Sequence, residues 1–208
     1  MSLLLLAFAA GPAHARNVSY VDGWTILGKC DDDSVYSVLH YTPHRLFSAG
    51  YRYEYFREDA WHYHAVQLNA LAKRWNRPEA QANFYILSDI GGAYSLKKDS
   101  GHYATAAFST GAALDWENRR YFTSYENRLL YAGNLTKTFI QKARIGVAPY
   151  VAEYGNLHTW LMAEVRHHTS SRDPWTVTPL VRFFKGPVMA EIGWTVGGSV
   201  YVSWRVLF

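Results

Sequence analysis

The chain has 208 residues, enough for one domain, with 16% aromatic residues and a mean hydropathy of −0.19. Its net charge is +4 and its pI about 9.1, but the basic residues scatter along the chain without forming a patch, which argues against a nucleic-acid surface. No run of about 18 apolar residues occurs, so the chain encodes no transmembrane helix. What stands out is Tyr (16) and Trp (8), amphipathic rings suited to the two interfaces of a membrane.

The chain opens with MSLLLLAFAAGPAHAR. Leu3 to Ala10 is apolar but too short to span, and it is followed by Gly-Pro and then Ala13-His14-Ala15, a small-x-small cleavage pattern. This predicts a signal peptide over residues 1–15 and a mature domain over 16–208, although no Lys or Arg precedes the apolar run. Cys30 is the only cysteine, so no intramolecular disulfide is available; it is expected at a strand end.

Turn residues then recur every 10–18 positions: Asp31-Asp32-Asp33, Pro43-His44, Glu58-Asp59, Asn76-Arg77-Pro78, Asp99-Ser100-Gly101 and Glu117-Asn118. Gly133-Asn134, Gly155-Asn156, Ser171–Pro174, Gly186-Pro187 and Gly197-Gly198 continue the series. Eleven turns delimit twelve segments, and most of these alternate with period 2. In 47–55, Phe47, Ala49, Tyr51, Tyr53 and Tyr55 oppose Ser48, Gly50, Arg52 and Glu54. In 104–116, Ala104, Ala106, Phe108 and Leu114 oppose Thr105, Ser109 and Asp115, and in 139–151 Ala143, Ile145 and Val147 oppose Lys142 and Arg144. Leu161, Ala163 and Val165 oppose Trp160, Glu164 and Arg166; Val177, Val181 and Phe183 oppose Thr176, Thr178 and Arg182; Ala190 and Ile192 oppose Glu191. The pattern slips in 24–29, 34–42, 80–90 and 120–131.

A soluble barrel or sandwich hides its apolar faces and sends charges outward; a membrane barrel does the reverse. Here charges sit at strand centres, and aromatics cluster near strand ends, at Tyr51–Phe56, Trp61, Trp75, Tyr121, Tyr125, Trp175 and Trp204. With the export signal, this predicts an all-β fold: an antiparallel up-and-down transmembrane barrel of about twelve strands, with ten as the alternative.

The chain ends SVYVSWRVLF, with Phe208, Val206, Trp204 and Val202 on one face. This ending resembles the terminal signature of Gram-negative outer-membrane β-barrel proteins. The resemblance implies an outer-membrane location, contact with lipid and lipopolysaccharide, and recognition of these four residues by the barrel-assembly machinery. It implies no particular activity.

Strand parity predicts a lumen lined by Arg52, Lys73, Arg128, Lys142, Arg144, Arg166, Arg182 and Arg205, with Glu54, Glu126, Glu164 and Glu191. Eight positive groups against four negative predict a narrow, anion-leaning solute channel, similar in architecture to the small twelve-stranded porins for acidic oligosaccharides, though no sequence motif of that family is present. The alternative is a non-conducting structural or adhesion barrel whose charges are all paired. A third reading is a lipid hydrolase at the rim, with His168 and Ser170 as catalytic candidates and Glu164 four residues earlier. The stretch VRHHTSSRD is superficially like the His-x-Ser of lipid A deacylases but lacks the Asn that follows the serine in that pattern. His62, His64, His102, His167 and His168 fall near one rim, but their parity argues against a single metal site, and no metal or cofactor is expected.

Overall fold

The computed structural model describes residues 17–95, 103–153 and 155–208. The expected signal peptide and His102 lie outside them. Among the described residues, twelve strands follow one another: β1 (Gly23–Cys30), β2 (Ser34–His44), β3 (Phe47–Phe56), β4 (Trp61–Asn76), β5 (Ala80–Ser95) and β6 (Tyr103–Asn118). Then come β7 (Tyr121–Ala132), β8 (Thr136–Val147), β9 (His158–His168), β10 (Trp175–Lys185), β11 (Val188–Trp194) and β12 (Val200–Leu207). Each pairs antiparallel with its sequence neighbours, and β1 pairs with β12, so the sheet is a closed barrel. Closure satisfies every strand's hydrogen-bonding edge, as a membrane requires. The terminal residue takes part: Trp24 donates its N–H to the Phe208 carbonyl (2.7 Å), and Phe208 donates to that of Trp24 (3.0 Å).

The even strand count brings the two termini of the described chain, residues 17 and 208, to one end of the barrel. The outward faces carry the apolar residues of the alternating pattern, with Leu39, Val66, Ile86, Ile90, Leu129, Ile145, Leu161 and Ile192 exposed. Aromatic rings flank this band. Trp24, Phe47, Trp75, Trp116, Tyr121 and Phe208 ring the end that holds the termini, and Tyr94, Tyr131, Trp175 and Trp194 ring the opposite rim. An exposed apolar belt between two aromatic girdles is the outer surface of a transmembrane barrel. Phe56 and Trp61 depart from the girdle expected of them: they turn inward and stack, 4.1 Å between centroids and 9° between planes, over Leu130 and Ala132.

At two glycines a neighbouring strand comes close enough to leave no room for a side chain. A Cβ on Gly91 would lie 1.9 Å from the His64 carbonyl oxygen, and one on Gly111 would lie 2.0 Å from that of Asn127. Only a residue without a side chain allows β4–β5 and β6–β7 to approach that closely.

At the end holding the termini, residues 17–19 turn into the barrel. Val18 is fully buried against Leu71, Tyr85 and Ala113. The Asn17 carbonyl accepts hydrogen bonds from Ser48 Oγ (2.8 Å) and Asn69 Nδ2 (3.3 Å). Residues 17–19 are thereby packed into one mouth of the lumen.

Candidate functional site

The inward faces hold polar and charged residues in three linked groups. In the first group, Glu54 on β3 accepts from Arg52 Nε (3.1 Å) and from Arg128 Nη1 (2.6 Å). Arg128 stands on β7, so this pair crosses the lumen and does not follow the wall. Arg128 Nη2 lies 3.4 Å from Asp89, which also accepts from Ser109 Oγ at 2.6 Å. In the second group, Arg144 on β8 donates Nε to Glu164 (2.6 Å), Nη1 to Glu191 (3.2 Å) and Nη2 to the Tyr201 hydroxyl (2.7 Å). Glu191 also accepts from Arg182 Nε (2.8 Å) and the Tyr201 hydroxyl (2.9 Å). Lys142 pairs with Glu126 at 2.9 Å.

The third group closes the rim opposite the termini. Arg166 on β9 donates to Asp31 (2.6 Å) and Asp32 (2.9 Å) and lies 3.1 Å from Asp33, all in the turn between β1 and β2. Lys29 pairs with Asp31, and His168 Nδ1 lies 3.0 Å from Asp33 Oδ2. The turn is strapped to a strand far around the wall. Asp31 lies outside the strands; burial acts to raise its carboxyl, but Lys29 and Arg166 overcome that and hold it below the ordinary carboxylate range. Beneath the strap is a small recess bordered by Tyr36, Arg52, Glu54, Arg128, Lys142 and Arg166.

Lys73 is the one residue of the expected lining that faces outward. Between Leu71 and Lys73 the β4–β5 register slips, a β-bulge that reverses the alternation. Lys73 then pairs with outward Phe84, and Arg74 takes the inward position, donating Nε to Asn83 Oδ1 at 2.7 Å. Arg52, Glu54, Glu126, Arg128, Lys142, Arg144, Glu164, Arg166, Arg182, Glu191 and Arg205 stand on inward faces. The lining expected from parity left out Lys29, Arg74, Asp89, Glu117 and the triple-aspartate turn, and did not count Asp115 although it stood on the polar face of its segment. With these acids included, the positive excess counted from sequence is no longer the charge of the lumen.

The hydrolase candidates His168 and Ser170 border one small recess at the rim, together with Asp33, Glu58 and Asp59. Ser170 Oγ donates to the Lys137 carbonyl (3.4 Å), while the His168 ring is held by Asp33. Of the rim histidines, His62 and His64 face outward and stack with Tyr94, at 4.8 and 5.5 Å between centroids. His167 lies outward against Trp175, and His168 lies inward. Among the described residues, no group of three or more His, Cys, Asp or Glu side chains is arranged to hold a metal.

No protein-family model matches the chain, and no curated protein matches it. By fold it is similar to the KdgM porin, solved in complex with disordered oligogalacturonate, with a TM-score of 0.50 at 8% identity over 89% of this chain and 98% of that one. It is also similar to OccK8 (OprE) of Pseudomonas aeruginosa, with a TM-score of 0.44 at 8% identity over 84% of this chain and 57% of that one. LpxR from Salmonella typhimurium gives 0.48 at 8% identity over 89% and 99%. At that identity the likeness is one of fold. The chain is an integral β-barrel of the bacterial outer membrane.

Proposed function

We propose that the barrel, after removal of residues 1–15, is a narrow passive channel for small solutes that favours anions. The observation that carries this reading is the arginine series on the inward faces, running from Arg166 beneath the rim through Arg52, Arg128, Arg144 and Arg182 to Arg205 near the other end. The fold shared with the KdgM porin supports the same reading by analogy. Most of these guanidinium groups are neutralised by carboxylates, so selectivity must come from those whose pairing is incomplete, not from gross charge.

The pairs that cross the lumen, Arg128–Glu54 and Arg166–Asp31, favour a second reading: a non-conducting barrel whose interior is a structural network. Planar-bilayer recording of the refolded protein in a salt gradient separates the two. The channel reading expects discrete steps with an anion-selective reversal potential. Silence from a preparation with heat-modifiable migration, and so folded, overturns it in favour of the structural barrel.

A further inference from the structure

Near the end that holds the termini, three inward polar side chains from adjacent strands lack partners. Thr25 on β1 is fully buried, and its hydroxyl forms no hydrogen bond. His40 on β2, directly opposite Thr25 in the register, is 1% exposed, and neither ring nitrogen is bonded. Arg205 on β12 pairs with Leu27, two residues along the same face of β1 from Thr25, and its Nε and Nη1 are buried and unpaired. The contrast with the rest of the lumen is sharp. Arg52, Arg128, Arg144, Arg166, Arg182, Lys29 and Lys142 each hold a carboxylate. Among the described residues Arg205 holds none.

A buried polar group without a partner is costly, and a buried unpaired cation more so. Three such groups at one place are a set of donors with a common complement. The guanidinium offers a planar fork matched to a carboxylate. The threonine hydroxyl and a neutral imidazole N–H each add one donor. The site carries one positive charge, so it suits a monoanion.

We propose that Arg205, His40 and Thr25 form an anion-binding site that takes the carboxylate of a small organic acid. The proposal rests on the reading of the lumen as a solute path, because the acid must enter the barrel to reach these groups.

The test uses acetate as the probe and the refolded full-length barrel in detergent micelles, labelled with ¹³C-histidine. Acetate is titrated at constant pH and ionic strength, with inorganic phosphate as the comparison anion. The His40 ring signal, assigned through His40→Gln, is expected to shift saturably with acetate and less with phosphate. Arg205→Gln should weaken acetate binding at least about tenfold, as loss of a charged hydrogen-bonding partner does. Thr25→Val should weaken it several-fold. If Arg205→Gln does not refold, Arg205→Lys keeps the charge, removes the fork and gives the same weakening. A folded wild-type barrel whose His40 signal does not move with acetate overturns the proposal, as does an Arg205→Gln variant that binds acetate equally well. Bilayer recording keeps the two failures apart. Saturable binding in a silent barrel retains the site and sinks the channel; anion-selective steps with His40 unmoved retain the channel and sink the site.

Discussion

Arg166 and Asp31 meet over 2.6 Å, although β10, β11, β12 and β1 lie between them along the wall. The same guanidinium reaches Asp32 and lies against Asp33, and Asp33 in turn holds His168. Both members of the Arg166–Asp31 pair are almost wholly buried. Removing Arg166 leaves Asp31 with Lys29 as its remaining cation in a nearly dry site, so the cost should lie toward the lower end of the about 3–5 kcal/mol of a broken buried pair. Arg166→Gln is expected to lower unfolding stability by about that much and to loosen the strap, which keeps its His168–Asp33 contact with β9. Urea unfolding of the refolded barrel in lipid, followed by heat-modifiable migration, reads the first effect. Protease access to the 31–33 turn reads the second. A variant with wild-type stability and a protected turn would show that the strap is held by something else.

The strap also has a defined acid dependence. The Asp31 carboxyl is held below its ordinary range by Lys29 and Arg166 against the opposing effect of burial. A group whose value falls on folding binds fewer protons in the folded state, so its contribution to stability rises with pH. That contribution is complete above the unfolded value, about 3.9, and disappears as pH falls through the lower folded value. The stability gap between wild type and Asp31→Asn should stay constant from pH 8 to pH 5 and shrink at more acid pH. A gap that narrows between pH 7 and pH 5 would contradict this account of the strap.

The lumenal pairs differ in how much water they see, and that difference orders the variants. Glu191 is 2% exposed and accepts from Arg144, Arg182 and Tyr201. The Glu126 side chain is a third exposed and pairs with Lys142. Glu191→Gln strands Arg182, leaves Arg144 with Glu164 as its one carboxylate, and should cost about 3–5 kcal/mol. Glu126→Gln disturbs a solvent-screened pair and should cost about 1 kcal/mol or less. Urea midpoints of the two variants, compared at equal slope, check the ranking. Equal losses would mean that water reaches Glu191 as freely as Glu126.

Much of the fold was legible because the side-chain period of a strand is two, so a charge every second residue at strand centres names the inward face wherever the alternation is clean. In β9 to β11 it is clean, and Glu164, Arg166, Arg182 and Glu191 follow directly. The strand count followed from the turn residues, whose backbone preferences act locally. Three things did not follow. Lys29 and Asp89 lie in segments where the alternation slips, so parity gave them no face. Asp31 to Asp33 read only as a turn, because nothing local reveals that a strand across the lumen carries the matching arginine. The pairing pattern itself is a product of closure: Arg128 and Glu54 are 74 residues apart and meet only because the sheet curls shut.

Lys73 and Arg74 exchange places through a mechanism that the sequence leaves unmarked. The bulge between Leu71 and Lys73 adds one residue to β4 relative to β5, and every side chain beyond it changes face. Parity counted from the start of the strand therefore sends Lys73 inward, whereas the register sets it beside outward Phe84 and turns Arg74 toward Asn83. Single cysteines at 73 and 74, in a Cys30→Ser background and carrying a small fluorophore, test this in bilayers containing brominated lipid. The label at 73 is expected to be quenched by the lipid and the label at 74 to be spared. The reverse pattern would mean that β4 runs without a bulge, with Lys73 returned to the lumen and Arg74 facing the membrane.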